Sequence, residues 1–204
     1  MPEGDTIYRA AAALRTALVG HVMTSFEAPY LDGIHPQVGR VIEEIESFGK
    51  HLEFAWDDGV VLHTHMRMSG SWHLYHPGER WRRPQREMVV SIGVDQWRAV
   101  CFNAPTVESY RSFDKRRHPG FGHVGPDLCK DHPDIDSCLD RMDRFTDPDE
   151  PMAEVLLDQR IACGVGNVYK SEVLWRCGVN PFRAIREIDH ETRRRLLEMS
   201  AEML

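Results

Sequence analysis

Leu52-Glu53-Phe54-Ala55-Trp56-Asp57-Asp58-Gly59-Val60-Val61-Leu62-His63-Thr64-His65 reads as two short strands joined by a tight turn. Residues 52–56 and 60–65 are dense in β-branched and aromatic side chains, and Asp57-Asp58-Gly59 between them is turn chemistry. Strands joined this closely can only pair antiparallel. The same pattern recurs outward from this unit. Residues 21–27, 40–47, 71–75, 88–94 and 98–102 read as further strands, and Phe48-Gly49-Lys50 as a second turn. Strands at this spacing predict an antiparallel sandwich or barrel over residues 21–113.

Helical patterns flank the strands. In residues 5–19, Ile7, Ala11, Leu14 and Leu18 recur at helical spacing, and Gly20 is a stop signal. Residues 114–133 are rich in Gly, Pro, Asp and His and read as a linker. Beyond it, residues 134–144, 151–157, 167–177 (closed by Gly178) and 191–204 read as helices. The expectation is an α+β chain of two domains: residues 1–113, an N-terminal helix plus antiparallel β-sandwich; the linker 114–133; and a helical domain over 134–204. The last pattern runs into Ala201-Glu202-Met203-Leu204 with no cap, which reads as a truncated chain.

The totals narrow the class. A chain of 204 residues with 42% apolar and 28% charged residues suits one or two soluble globular domains. No apolar run approaches the about 20 residues of a membrane span, and the N-terminus lacks the apolar core of a signal peptide. Five cysteines (Cys101, Cys129, Cys138, Cys163, Cys177) form no C-x-x-C pair, so they read as reduced thiols of a cytoplasmic protein, not as a zinc site. A net charge of −7 by itself argues against nucleic acid, but a local basic patch can still bind phosphate. Arg80, Arg82, Arg83 and Arg86 around Trp81, and Lys115, Arg116 and Arg117 in the linker, are such patches or else solvated loops. Asp147, Asp149 and Glu150 read as a solvated acidic loop. His63 and His65 alternate on one strand face; a hydrogen-bonding role fits them better than a metal pair, because no third ligand is apparent.

Two short stretches carry chemistry. Removal of Met1 would leave Pro2 with a secondary amine beside the Glu3 carboxylate, ahead of the capping groups of Asp5 and Thr6. An α-amine titrates at about 7.7–8.0, well below lysine, so more of it is neutral and able to attack carbonyl-like carbon. Read alone, the stretch is better explained as an ordinary N-terminus with a helix cap. In Gly164-Val165-Gly166-Asn167-Val168-Tyr169-Lys170 two glycines make a tight turn, and Asn167 opens a helix whose first N–H groups suit a phosphate. The alternative is a glycine turn between packed helices.

Together, Pro2-Glu3-Gly4-Asp5 and Gly164-Val165-Gly166-Asn167-Val168-Tyr169 resemble the formamidopyrimidine-DNA glycosylase and endonuclease VIII family of base-excision repair enzymes, in the same order and over nearly the whole chain. The resemblance implies an N-terminal helix, a β-sandwich and a helix-two-turn-helix domain. It implies that Pro2 is the nucleophile, that Glu3 moves protons, and that Lys50 contacts phosphate near the lesion. It further implies that Gly166 and Asn167 serve backbone binding, and that Arg67, Met68 and Ser69 enter the duplex where a base leaves. Met68 is the best wedge among them. Phe102-Asn103-Ala104-Pro105-Thr106-Val107-Glu108 resembles the endonuclease VIII branch, which implies oxidised pyrimidines as substrates.

The implied partner is double-stranded DNA with oxidised bases or abasic sites, bound by a monomer in a bacterial-type cytoplasm with no membrane association. No cofactor and no metal are expected within this chain. The family's C-terminal zinc finger has no counterpart here, so Zn2+ is expected only if the full-length protein continues into that finger. A non-catalytic damaged-DNA-binding module and a repair scaffold are the alternatives to an enzyme.

Overall fold

The computed structural model describes residues 3–113 and 124–204. The described residues fall into two compact units. Residues 6–113 make the first, and residues 3–5 with 124–204 the second.

The first unit is built from helix α1 (Gly4–Leu18), of which it takes the part from Thr6, and eight strands. These are β1 (Ser25–Glu27), β2 (Ile42–Phe48), β3 (His51–Trp56), β4 (Val60–His65), β5 (Ser71–Tyr75), β6 (Met88–Gly93), β7 (Arg98–Phe102) and β8 (Thr106–Arg111). They form two four-stranded sheets, ordered β1-β6-β7-β5 and β2-β3-β4-β8, and all named pairings are antiparallel. The expected sandwich architecture holds. Apolar residues of both sheets share one core: Ile45, Leu52, Phe54, Trp56 and Leu62 from one, Trp72, Val90, Ile92 and Cys101 from the other. The helical spacing seen in the sequence puts Ile7, Ala11, Leu14 and Leu18 into that core. Trp81 packs with Tyr75, Met88, Val100 and Phe102 in a smaller cluster.

Strand β8 went unread in the sequence. Thr106-Val107-Glu108-Ser109-Tyr110-Arg111 lacks clean alternation, and it is recruited by pairing along all of β4, from Val60↔Arg111 to His65↔Thr106. The expected strand at 21–27 shrinks to β1, with Val22 making only an isolated bridge to Val41.

The second unit contains α2 (Ile135–Phe145), α3 (Met152–Val155), α4 (Asn167–Cys177) and α5 (His190–Met203). Side chains of Asp134 and Asp189 cap α2 and α5 by accepting from Ser137 and Thr192 N–H at 2.9 and 2.7 Å. Gly178 ends α4 as expected. The stretch from 124 is part of this unit and not only a connector. Leu128 is buried with Leu139, Val155, Ile161, Val173 and Leu196, and Leu128 N–H donates to Cys163 C=O at 3.0 Å. Helix α3 is shorter than the expected 151–157, since residues 156–161 turn instead. All five cysteines are free thiols. No helix among the described residues is long and apolar enough to cross a membrane.

Phe54 is fully buried between Trp56 and Trp72, with ring centroids 6.4 and 4.7 Å away. Phe54→Ala is expected to destabilise the first unit by about 3–5 kcal/mol, read as a lower urea midpoint. A loss under about 1 kcal/mol would mean that the core closes elsewhere.

Candidate active site

The first described residue, Glu3, is almost wholly buried, with 1% of its surface exposed. Its carboxylate lies on the N-terminus of α4. Oε1 accepts from Val168 N–H at 2.9 Å and Oε2 from Tyr169 N–H at 3.2 Å. These are two of the donors that an α-helix leaves unsatisfied at its start, and the helix dipole favours an anion there. A carboxylate has lone pairs beyond the two in use, so a proton can still be exchanged at it.

Glycines make the fit possible. A Cβ on Gly166 would sit 2.4 Å from Glu3 Cδ and 2.5 Å from Oε1. Gly4 N–H donates to Gly164 C=O at 3.0 Å, and a Cβ on Gly4 would meet Gly164 Cα at 2.7 Å. Gly164 itself has φ of 114°, a conformation side chains rarely adopt. Gln159 braces the turn from inside. Its Nε2 donates to the carbonyls of Leu157 and Val165 at 3.0 and 3.1 Å, and its Oε1 accepts from Gly164 N–H at 3.3 Å.

This corrects one expectation about the turn. The N–H groups of Val168 and Tyr169 take the protein's own carboxylate, because Glu3 reaches them first. Asn167 remains exposed at the helix start, and its Oδ1 accepts from Lys170 Nζ at 3.1 Å. The role of Gly166 is to admit Glu3. That role could have been suspected from a glycine where a helix N-cap normally bears a side-chain acceptor. Pro2, the candidate nucleophile, lies outside the described residues, as do Lys115, Arg116 and Arg117.

The remaining candidates lie on the first unit. Lys50 occupies the two-residue turn between β2 and β3, where Phe48 pairs with His51. Arg67, Met68 and Ser69 form the connection from β4 to β5. Gly70 N–H donates to Met66 C=O at 2.9 Å and closes the loop, and Arg67 takes a left-handed φ of 44°. Met66 is buried whereas Met68 is 75% exposed, so the loop keeps one methionine for the core and presents the other. Ser69 Oγ donates to Asn103 C=O at 3.1 Å and ties this loop to the turn before β8. Arg80, Arg82 and Arg83 line an open cleft of about 610 Å3 with Trp81. There Arg83 pairs with Glu87 at 3.3 Å.

Antiparallel register also assembles a polar row on one face of β3, β4 and β8. His63 Nδ1 meets Glu108 Oε1 at 2.7 Å, and His63 Nε2 meets His51 Nδ1 at 2.9 Å. The His51 ring stacks on His65 with centroids 4.2 Å apart. Burial, then Arg67, then Lys50 hold the His65 pKa below its ordinary value, so that ring is neutral at pH 7. Tyr110 donates to Glu53 on the same face. His63 therefore has the hydrogen-bonding role expected of it, and no cluster with the makings of a metal site occurs among the described residues. His51 and Glu108 were not singled out in the sequence. Glu108 could be found only with β8 in place.

Gly166→Ala is expected to push the Glu3 carboxylate off α4 and to lower stability by about 1–3 kcal/mol in denaturant titration. An unchanged midpoint would show that the carboxylate does not need this seat.

Comparison with known proteins agrees with this anatomy. Residues 1–117 match the family model of the formamidopyrimidine-DNA glycosylase N-terminal domain, and residues 124–204 match that of the formamidopyrimidine-DNA glycosylase H2TH domain. The chain is 36% identical over 207 residues to a probable endonuclease 8 2 of Streptomyces coelicolor, covering 100% of this chain and 73% of the relative. It is 35% identical over 184 residues to the DNA-(apurinic or apyrimidinic site) lyase Nei2 of Mycolicibacterium smegmatis, covering 89% of this chain and 69% of that protein. The structure of Lactococcus lactis Fpg (MutM) with N7-benzyl-Fapy-dG DNA shares the fold at a TM-score of 0.83 and 21% identity, over 99% of this chain and 77% of that one. With both units matched by the family's models and the whole of this chain aligned to an endonuclease 8 relative at 36% identity, the chain belongs to the formamidopyrimidine-DNA glycosylase and endonuclease VIII family.

Proposed function

We propose that this protein is a bifunctional DNA glycosylase and abasic-site lyase, acting on duplex DNA with oxidised bases, pyrimidines foremost. The observation that carries the reading is the seat of Glu3. A buried carboxylate fixed by two backbone N–H groups adjoins, by one peptide bond, the residue whose amine is the candidate nucleophile. Glycine clearance at Gly166 and Gly4 serves that placement. The relatives named endonuclease 8 and abasic-site lyase support the same reaction class.

In the proposed reaction the Pro2 amine attacks C1′ of the damaged nucleotide. The C1′–N bond to the base breaks, and its electron pair leaves with the base. Glu3 delivers a proton to the sugar ring oxygen as the ring opens to an iminium. The iminium acidifies the C2′ proton. Its loss breaks the C3′–O bond, and the strand is cut 3′ to the lesion with the phosphate as leaving group. A second elimination can follow on the 5′ side. Lys50 holds a backbone phosphate as a point charge. Asn167 can donate its side-chain N–H to another phosphate. Arg67 and Met68 fill the space left by the flipped base, offsetting an unstacking cost of a few kcal/mol. The preference for pyrimidines rests on the Phe102–Glu108 segment, which turns through Asn103 at φ of 53° into β8.

Borohydride reduction in the presence of abasic-site DNA is expected to give a covalent adduct that maps to Pro2. Mass measurement of the N-terminus is expected to show Met1 removed. Glu3→Gln is expected to lower base release by about 100-fold or more. An active protein that forms no adduct, or that keeps Met1 and so has an amide at Pro2, would overturn the mechanism. Salt-sensitive DNA binding with no strand cleavage would instead identify a non-catalytic module.

A further inference from the structure

Between β5 and β6 the chain runs Glu79-Arg80-Trp81-Arg82-Arg83-Pro84-Gln85-Arg86, with four arginines around one large apolar side chain. Trp81 pins this segment to the sheet. Its ring centroid lies 6.4 Å from that of Tyr75 and 5.8 Å from that of Phe102. Hydrogen bonds fix the rest. Arg82 N–H donates to Tyr75 Oη at 3.1 Å, Glu79 N–H to His76 C=O at 3.0 Å, and Asn103 N–H to Glu87 C=O at 3.0 Å. The arginines thus stand on an anchored backbone, and a ligand need not order that backbone to reach them.

Together with Glu27 of β1 and Arg98 of β7, the segment walls the cleft of about 610 Å3. Neither Glu3, Lys50, Asn167 nor the Met68 loop lines it. Arg83 is paired with Glu87, and Arg98 reaches Ser25 Oγ at 3.5 Å. Arg80 and Arg82 are exposed and form no ion pair among the described residues. Burial first, and then Arg82 and Arg83, hold the His73 pKa below its ordinary value, so the field of these cations reaches into the sheet. Of the two carboxylates in the cleft, Glu79 accepts from His76 N–H at 2.9 Å through Oε2. Glu27 is exposed, and its side chain has no partner among the described residues.

This mixture of groups selects a ligand class. Unpaired guanidiniums suit phosphate oxygens. Half-buried Trp81 offers ring surface on which a base can stack. A carboxylate in the same cleft repels an acidic peptide but accepts readily from an N–H donor. A nucleotide supplies all three complements: a phosphate, a flat ring and, in cytosine, adenine or guanine, an exocyclic amino group. The volume is that of a small-ligand cleft, which one or two unpaired nucleotides can enter and a duplex cannot.

We propose that this cleft is a nucleotide site separate from the lesion site. Arg80 and Arg82 hold the phosphate, Trp81 stacks on the base, and Glu27 accepts from the exocyclic amino group. The ligand is a free nucleotide or a nucleotide of an unpaired strand. The proposal stands on the cleft and does not depend on the glycosylase reading.

The test uses the full chain saturated with duplex DNA containing a tetrahydrofuran abasic analogue, which occupies the lesion site. Nitrogen-15 tryptophan labelling follows the Trp81 indole N–H, identified by its loss in Trp81→Phe. Tetra-deoxycytidylate is expected to shift that signal and to bind roughly 5-fold more tightly than tetra-thymidylate, which lacks the amino group. Equal affinity for dCMP and the tetranucleotide would identify a free nucleotide as the ligand, and a much tighter tetranucleotide an unpaired strand. Arg80→Ala with Arg82→Ala is expected to weaken this binding roughly 10-fold while duplex affinity and the urea midpoint stay as in the parent. Glu27→Ala is expected to abolish the preference for cytosine. The Trp81 titration of the unaltered protein gives an answer that needs no variant to fold. No Trp81 shift with either oligonucleotide at about 1 mM overturns the proposal. So does an equal loss of duplex affinity in the arginine variant, which would make the cleft part of the duplex path. A poly-glutamate peptide that shifts Trp81 where the oligonucleotides do not would assign the cleft to a protein partner instead.

Discussion

The bond between the Glu3 carboxylate and the first turn of α4 is the constraint on which the catalytic reading depends. A helix start needs acceptors, and this one has a glycine at its N-cap with no side chain to supply one. The acceptor comes from a residue 165 positions earlier in the chain. Burial strengthens such a charge-assisted contact and makes its loss costly. The glycines at 4, 164 and 166 are therefore not generic turn residues. A Cβ on Gly166 would strike the Glu3 carboxylate and one on Gly4 the backbone of Gly164, while Gly164 supplies a positive φ that side chains rarely adopt. The helix start expected to seat a phosphate holds the Glu3 carboxylate instead, and Asn167 stays exposed beside it.

The first unit shows a different economy. One face of the β2-β3-β4-β8 sheet supplies Leu52, Phe54, Trp56 and Leu62 to the sandwich core. The alternate positions of the same strands carry His51, Glu53, His63, His65, Glu108 and Tyr110. Strand period two separates the two sets, so one sheet serves as both scaffold and polar array. The turn with Lys50 and the loop with Arg67 lie at the ends of these strands. Burial first, and then the cations of Arg67 and Lys50, hold the His65 pKa down where its ring stacks on His51.

Much of this was legible along the chain. The strands at 60–65, 71–75 and 98–102 and helix α4 sit where β-rich composition and cap signals put them, because each is a local pattern of side chains and turn residues. Local pattern was also enough to mark Gly164-Val165-Gly166-Asn167, whereas the loop around Met68 was marked by the family resemblance. Strand β8 was not legible, because only its pairing with β4 makes it a strand. The buried Met66 and exposed Met68 were likewise indistinguishable by residue type, and the hydrogen bond that closes their loop decided between them.

The sequence by itself determined the α+β order, the helix and strand periods, and the residues available for chemistry: Pro2, Glu3, Lys50 and the glycine turn. Tertiary structure alone decided what those residues touch. It gave Glu3 to Val168 and Tyr169, assigned Gly166 to clearance, and aligned Glu108, His63 and His51 in one row. The reason is physical. Periodicity and capping act over a few neighbours and leave a trace in the chain, whereas hydrogen bonds between distant residues depend on register and close approach, which exist only once the sheets and helices have packed.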